Sequence, residues 1–315
     1  EVETFGNDES WIELTGSPLL KERTPHEIAD EIRNTVKSEV GLTVSIGISF
    51  NKIFAKLGSD MKKPDAVTEI GRDTFRDQVW PLPVSDLLYV GRATAEKLGR
   101  YCIRTIGDLA NTERDILRSL LGINGEKIWA YANGLDASRV MPCDYTPPIK
   151  SIGHGITCTA DLVSESEVRG VFLELSQDIG LKLRKQGLAA NGVRITVRDN
   201  TLSHRQYQCK LPFPTQSYLE IYDAGIDMFH RRYSWSNNIR SLTISAIDLI
   251  SADTPVQLDL WTDMSKHKRR IRLEETIEDI RRRFGLHAIN FAAAGSMKIP
   301  VQSDIEYKMP SVMYQ

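Results

Sequence analysis

Asp8 and Glu9 stand side by side in FGNDESWIEL (5–14), with Phe5, Trp11, Ile12 and Leu14 around them. Side chains alternate across a strand, so an adjacent acid pair at a strand end or turn puts two carboxylates at the edge of an apolar layer. Two chemistries fit. One is a solvated acid pair at a strand terminus. The other is a site for a hard divalent cation such as Mg²⁺, which takes one or two carboxylates together with substrate phosphates. The rest of the chain must decide between them.

A second group of candidates is built from backbone. Residues 83–141 hold two copies of one pattern, LLYVGRATAEKLGRYCIRTIGDL (87–109) and ILRSLLGINGEKIWAYANGLD (116–136). Each reads as an apolar helix, a tight glycine-containing turn (YVGR, LGING) and an amphipathic helix, the layout of a helix-hairpin-helix unit. Glycine allows a phosphate close to the backbone, and amides at the next helix N-terminus can donate to it. Gly122, Asn124 and Gly125 would do so in the second copy. Such contacts position a duplex without reading its sequence. Two ordinary helix pairs in a small bundle are the alternative.

The elements that must hold these residues follow from periodicity. TPHEIADEIRNTVKSEVG (24–41) predicts a helix capped by Thr24, with Pro25 in its first turn, Glu27 completing a capping box, and Ile28, Ile32, Val36 and Val40 on one stripe. LTVSIGIS (42–49) predicts a buried strand, and a helix runs from Asn51 to Met61. MPCDYTPPIK (141–150) predicts a linker. Beyond it come a strand (151–159), a helix (165–186), two strands (191–199 and 204–213), a helix (216–232) and a strand (238–249), in β-α-β-β-α-β order. Strand 191–199 turns Val193, Ile195 and Val197 inward. Arg194 and Arg198, with Arg205 and Lys210 on the next strand, fall on a polar face that could lie along phosphates.

Bulk properties narrow the classes. The 315 residues suffice for two or three domains. No run approaches the roughly 20 apolar residues of a membrane span, and no signal-peptide pattern opens the chain. Cys102, Cys143, Cys158 and Cys209 are scattered, which argues against zinc and disulfides and suits a cytoplasmic protein. Net charge is −2, yet KHKRRIRLEETIEDIRRRFG (266–285) is strongly basic.

The order of acid pair, helix, SIGIS strand, helix ending in DMKKPDA, tandem hairpins, proline linker and a split βαβ domain opened by KSIGHGIT resembles the Y-family DNA polymerases, the lesion-bypass enzymes. The resemblance covers essentially the whole chain. It implies an α+β multi-domain fold: a partial palm α/β layer (1–82), a helical thumb with tandem helix-hairpin-helix units (83–141), a linker (142–149), a βαββαβ little finger (150–250) and a tail (251–315). It implies that Asp8 and Glu9 are catalytic palm carboxylates on Mg²⁺, although Gly6 and Asn7 precede them where the family has serine. Lys63 would contact the incoming deoxynucleoside triphosphate, with Asp60 holding its loop. Primer–template DNA would meet Val90, Gly91, Arg92 and Ala93 in the thumb, and Lys150, Ser151, His154, Arg194, Arg198 and Arg205 in the little finger. Gln257, Leu258, Leu260 and Trp261, in PVQLDLWTD, are similar to the peptide that docks bacterial polymerases on the sliding clamp.

The family's first metal aspartate and its fingers lie upstream of the second acidic motif, and nothing here matches them. The chain therefore reads as the later part of an error-prone translesion polymerase, inactive alone. When intact, such an enzyme would be monomeric and use two Mg²⁺ ions to transfer deoxynucleotides to a primer 3′-hydroxyl. A non-catalytic DNA- and clamp-binding accessory protein on the same scaffold is the alternative. A hairpin-type glycosylase or nuclease using Lys97 or Asp108 is a third reading, although both residues also fit amphipathic helix surfaces.

Overall fold

The capping box predicted at Thr24 forms. The Thr24 side chain accepts from the Glu27 amide, and Glu27 accepts from the Thr24 amide, at the head of α1 (Pro25–Thr35). The computed structural model describes residues 1–255, 264–285 and 288–291. Two antiparallel strands precede α1, β1 (Val2–Phe5) and β2 (Glu9–Ile12), joined through Gly6 at φ 68°. Helix α1 ends in a π turn over Val36–Val40 that closes on left-handed Gly41. A π turn is wider than an α turn, so the i+4 stripe loses phase there: Ile28 is buried while Val40 is 64% exposed.

The predicted strand at 42–49 is shorter, β3 (Ile46–Ser49). It pairs in parallel with β4 (Val67–Ile70) across the intervening α2 (Lys52–Met61), whose N-cap is Asn51. Gly47 lets α2 lie directly on β3, since a Cβ there would sit 1.9 Å from the Ala55 carbonyl oxygen. Five helices follow: α3 (Phe75–Val79), α4 (Arg92–Gly99), α5 (Ile106–Asn111), α6 (Arg114–Leu121) and α7 (Ile123–Ala132). One core joins Ile53, Phe54 and Leu57 of α2 to Val79, Leu98, Ile106, Leu109, Leu117 and Ile128 of these helices. Glu1–Pro147 makes up one compact unit among the described residues.

The first hairpin departs from expectation. No helix leads into YVGR; a single 3-10 turn at Val84–Asp86 does. Pro81 and Pro83 explain this, because each lacks an amide donor and restricts the residue before it.

The second unit starts at Pro148. Its order is β5 (Ser151–Leu162), α8 (Glu165–Lys185), β6 (Leu188–Asp199), β7 (His204–Thr215), α9 (Tyr218–Arg232) and β8 (Ile239–Ser251), the predicted βαββαβ. The strands align as β5-β8-β6-β7, all neighbours antiparallel. Both helices cover one face, where Val193, Ile195 and Val197 meet Phe172, Leu175, Ile179, Ile221 and Phe229. A further helix, α10 (Met264–Phe284), docks through Glu274 on the start of α9. Among the described residues no helix is long and apolar enough to cross a membrane.

Candidate active site and nucleic-acid surfaces

The β1–β2 hairpin carries the acid pair. Asp8 lies exposed in the turn, and Glu9 is the first residue of β2, opposite Phe5. Helix α2 grips the hairpin twice. Lys52 Nζ lies 2.6 Å from Glu3 of β1, and Lys56 Nζ lies 3.0 Å from Glu9 of β2. Trp11 fixes the same contact: its indole donates to the Lys52 carbonyl at 3.0 Å, and its ring packs 4.5 Å from that of Phe5.

From Glu9 the charges continue. Lys56 also lies 2.5 Å from Asp60, and Asp60 lies 2.8 Å from Lys63. Burial works to lower the Lys56 pKa, but hydrogen bonds to Asp60 and Glu9 outweigh it and hold the ammonium above its ordinary range. Burial likewise works to raise the Asp60 pKa, and the two lysines overcome it and hold the carboxyl low. The structure thus brings Glu9 and Lys63 into one alternating chain of charges. Sequence reading missed Lys56. Its i,i+4 spacing to Asp60 was visible, but its partner Glu9 belongs to another segment.

Among the described residues no cluster of three or more His, Cys, Asp or Glu side chains is arranged to hold a metal ion. Asp8 and Glu9 supply two carboxylates, the number Mg²⁺ takes from a protein when phosphates complete its shell. In donor type and number the pair suits a hard divalent cation whose remaining ligands come from elsewhere.

Two helices begin on glycine with no side-chain cap: α4 on Gly91 and α7 on Gly122, the latter at φ 65°. Helices α1, α2, α5, α8 and α9 have capping side chains, while α3 and α6 begin on Thr74 and Glu113 without one. First-turn amides have no intrahelical partner, which leaves those of Arg92, Ala93 and Asn124 suited to a phosphate. Two expected members differ. Val90 is buried and its amide donates to Leu87. Gly125 serves packing, because a Cβ there would lie 2.1 Å from the Leu117 carbonyl oxygen, and its amide donates to Gly122.

The helix-free face of the second unit's sheet is set by register. Its rows are Gly153–Ser245–Arg194–Gln208, Gly155–Thr243–Thr196–Gln206 and Thr157–Ser241–Arg198–His204. Ser245 and Thr243 lean over the two glycines, leaving no room for a Cβ. Arg194 donates to Gln208 at 3.2 Å, and Arg198 to the Leu202 carbonyl at 3.3 Å. Lys150 and Ser151 are exposed where β5 begins.

His154 and Arg205 do not belong to this face. His154 pairs with Ile244, on the helix-covered side, and lies 2.9 Å from Asp178 of α8. Arg205 pairs with Val197, also on that side, and lines a small polar pocket with Asp199, Thr201, Ser203, Tyr233 and Asn237. Gln257, Leu258, Leu260 and Trp261 lie outside the described residues.

Comparison with known proteins agrees with this architecture. Residues 1–60 match the impB/mucB/samB family, and residues 149–260 match the C-terminal domain of that family. The DNA polymerase IV of Acetivibrio thermocellus is 41% identical over 288 residues, which are 91% of this chain and 72% of that protein. The DNA polymerase IV of Clostridium kluyveri is 33% identical over 292 residues, 90% of this chain and 72% of its own length. A Y-family DNA polymerase chimera superposes with a TM-score of 0.65 at 18% identity, covering 79% of this chain and 71% of its own. That likeness concerns the fold alone.

Proposed function

This chain belongs to the Y-family DNA polymerases of the DNA polymerase IV type, and from that premise we propose that it carries part of a metal-dependent site that extends a DNA primer on damaged templates. The observation that carries the proposal is the charge chain from Glu9 through Lys56 and Asp60 to Lys63. It links Glu9, one acid of the pair, to the exposed Lys63, which supports a site with the two signs of charge that a metal–triphosphate complex needs.

Asp8 and Glu9 would hold Mg²⁺, two ions in the intact enzyme. Bound there, it would supply Lewis-acid stabilisation of attacking and leaving oxygens. Lys63, with 56% of its side chain exposed, offers a cation to the triphosphate. Residues 83–141 would act as the thumb, holding the duplex through the uncapped amides of α4 and α7. The βαββαβ unit would act as the little finger, laying Arg194 and Arg198 along the backbone. The flat row of glycine, serine and threonine beside them lets a phosphate chain approach. Gln257, Leu258, Leu260 and Trp261 would bind the sliding clamp.

A non-catalytic DNA-binding protein on this scaffold is favoured by one observation: no group of three potential metal ligands forms among the described residues. The Glu9–Lys63 chain weighs against it, since it links one of the two acids to an exposed cation. The deciding test is Mg²⁺-dependent primer extension by the full product of the gene, beside its Asp8→Ala and Glu9→Ala variants. Extension that both substitutions abolish supports the polymerase; a folded, DNA-bound wild type that extends nothing supports the accessory protein.

A further inference from the structure

We propose that Lys56 is a positioning residue of this site, which orients Glu9 and, through Asp60, Lys63 for metal and triphosphate binding. The inference rests on the reading of Asp8, Glu9 and Lys63 as the nucleotidyl-transfer site.

Among the described residues Lys56 is the group that touches both halves of the chain of charges. Its ammonium lies 3.0 Å from Glu9 Oε1 and 2.5 Å from Asp60 Oδ2, and only 15% of its side chain is exposed. Asp60 then meets Lys63 at 2.8 Å. The contacts join three segments: the β1–β2 hairpin, α2, and the loop after α2.

Anchoring of the hairpin does not by itself require Lys56. One turn earlier on α2, Lys52 already grips Glu3 at 2.6 Å, stacks 4.3 Å over the Trp11 ring, and receives the indole hydrogen bond at its carbonyl. A lysine so far from water is costly unless it is well paired, and a partly exposed pair stabilises a fold only slightly. What Lys56 adds is a fixed cation between two carboxylates that would otherwise repel. It sets the direction of the Glu9 carboxylate. It also leaves Asp60 one oxygen for Lys63, so that the flexible Lys63 side chain is held near the acids before a nucleotide arrives. Partners that orient metal ligands in this way typically carry 10–100-fold in affinity or activity.

The test uses the full product of the gene with Lys56→Met and Lys56→Arg. Primer extension is measured against Mg²⁺ and against deoxynucleoside triphosphate. Triphosphate binding is measured separately on a dideoxy-terminated primer–template, where transfer cannot occur, and thermal unfolding is followed in parallel. Lys56→Met is expected to raise the half-saturating Mg²⁺, the nucleotide KM and the nucleotide Kd by roughly 10–100-fold, with the unfolding temperature held, and Lys56→Arg is expected to recover most of each. Unchanged Mg²⁺ dependence, KM and Kd in Lys56→Met overturn the proposal. So does a loss that follows unfolding and is not recovered by arginine. Wild-type extension by Glu9→Gln would instead remove the underlying site, and the role of Lys56 with it.

Discussion

Glu9 and Glu274 are both glutamates held by basic side chains, and their surroundings differ in every other respect. Glu274 has no exposed side-chain surface and lies 3.3 Å from Arg184. It accepts from the Ser217 hydroxyl at 2.6 Å and from the Tyr218 and Leu219 amides at 3.1 and 3.2 Å. These amides open α9, so the helix dipole favours the charge as well. Burial pushes the pKa of this carboxyl up, outweighing the hydrogen bonds from Ser217, Leu219 and Tyr218 that work to lower it. Among the described residues Glu9 meets one cation, Lys56, and 36% of its side chain is in water. A carboxylate with its acceptor sites filled fixes architecture, here the docking of α10. A carboxylate with open acceptor sites can take a ligand.

The largest effect expected from this contrast is on folding. Glu274→Ala leaves the Ser217 hydroxyl and the first amides of α9 without their buried acceptor, while Arg184 keeps Glu278 at 2.7 Å; at about 1–3 kcal/mol for each stranded group, the cost is about 3–5 kcal/mol. Urea unfolding of the whole chain reads this as a lowered midpoint, and an unchanged midpoint would place Glu274 with Glu9. Next is Gly125→Ala, whose Cβ would strike the Leu117 carbonyl and cost about 1–3 kcal/mol. DNA affinity should follow the folded fraction and nothing more, because Gly125 packs two helices. Arg194→Ala and Arg198→Ala should each lower the salt slope of DNA binding by about 1 with little change in stability. His154→Ala should leave the slope unchanged, which fluorescence anisotropy across a salt series checks.

The smallest effect concerns Asp178, which sits between the two extremes. Burial works to raise its pKa, but His154 at 2.9 Å and Lys182 at 2.7 Å outweigh burial and hold the carboxyl low. A lowered folded-state pKa gives stability above the unfolded value of about 3.9 that is lost as pH falls through the folded one. Asp178→Asn should therefore flatten the acid limb of the stability curve below about pH 4, as measured by urea midpoints across pH.

How far the sequence was legible differs between the two units. In the second, alternation in 191–199 and the apolar faces of 165–186 and 216–232 report burial directly, so the order and nearly all boundaries could be read. Alternation does not say which phase of a neighbouring strand faces outward. That depends on register, and for this reason Arg205 was grouped with Arg194 and Arg198 although it lies on the opposite face. Edge strand β7 adds to the difficulty, since its helix side is only partly covered and carries polar residues. In the first unit the acid pair was visible as residue types. Its setting was not: the grip of Lys52 and Lys56 joins segments far apart in sequence. LGING reads as a turn with two glycines, yet only Gly122 turns the chain, while Gly125 allows α6 and α7 to touch.

The most direct test of the account compares wild type with Asp8→Ala and Glu9→Ala in the full product of the gene, scored together for Mg²⁺-dependent primer extension and urea unfolding. The account predicts extension by the wild type alone, with stabilities that differ by less than about 1 kcal/mol. It is contradicted if a folded wild type bound to primer–template extends nothing, or if either variant extends as well as the wild type.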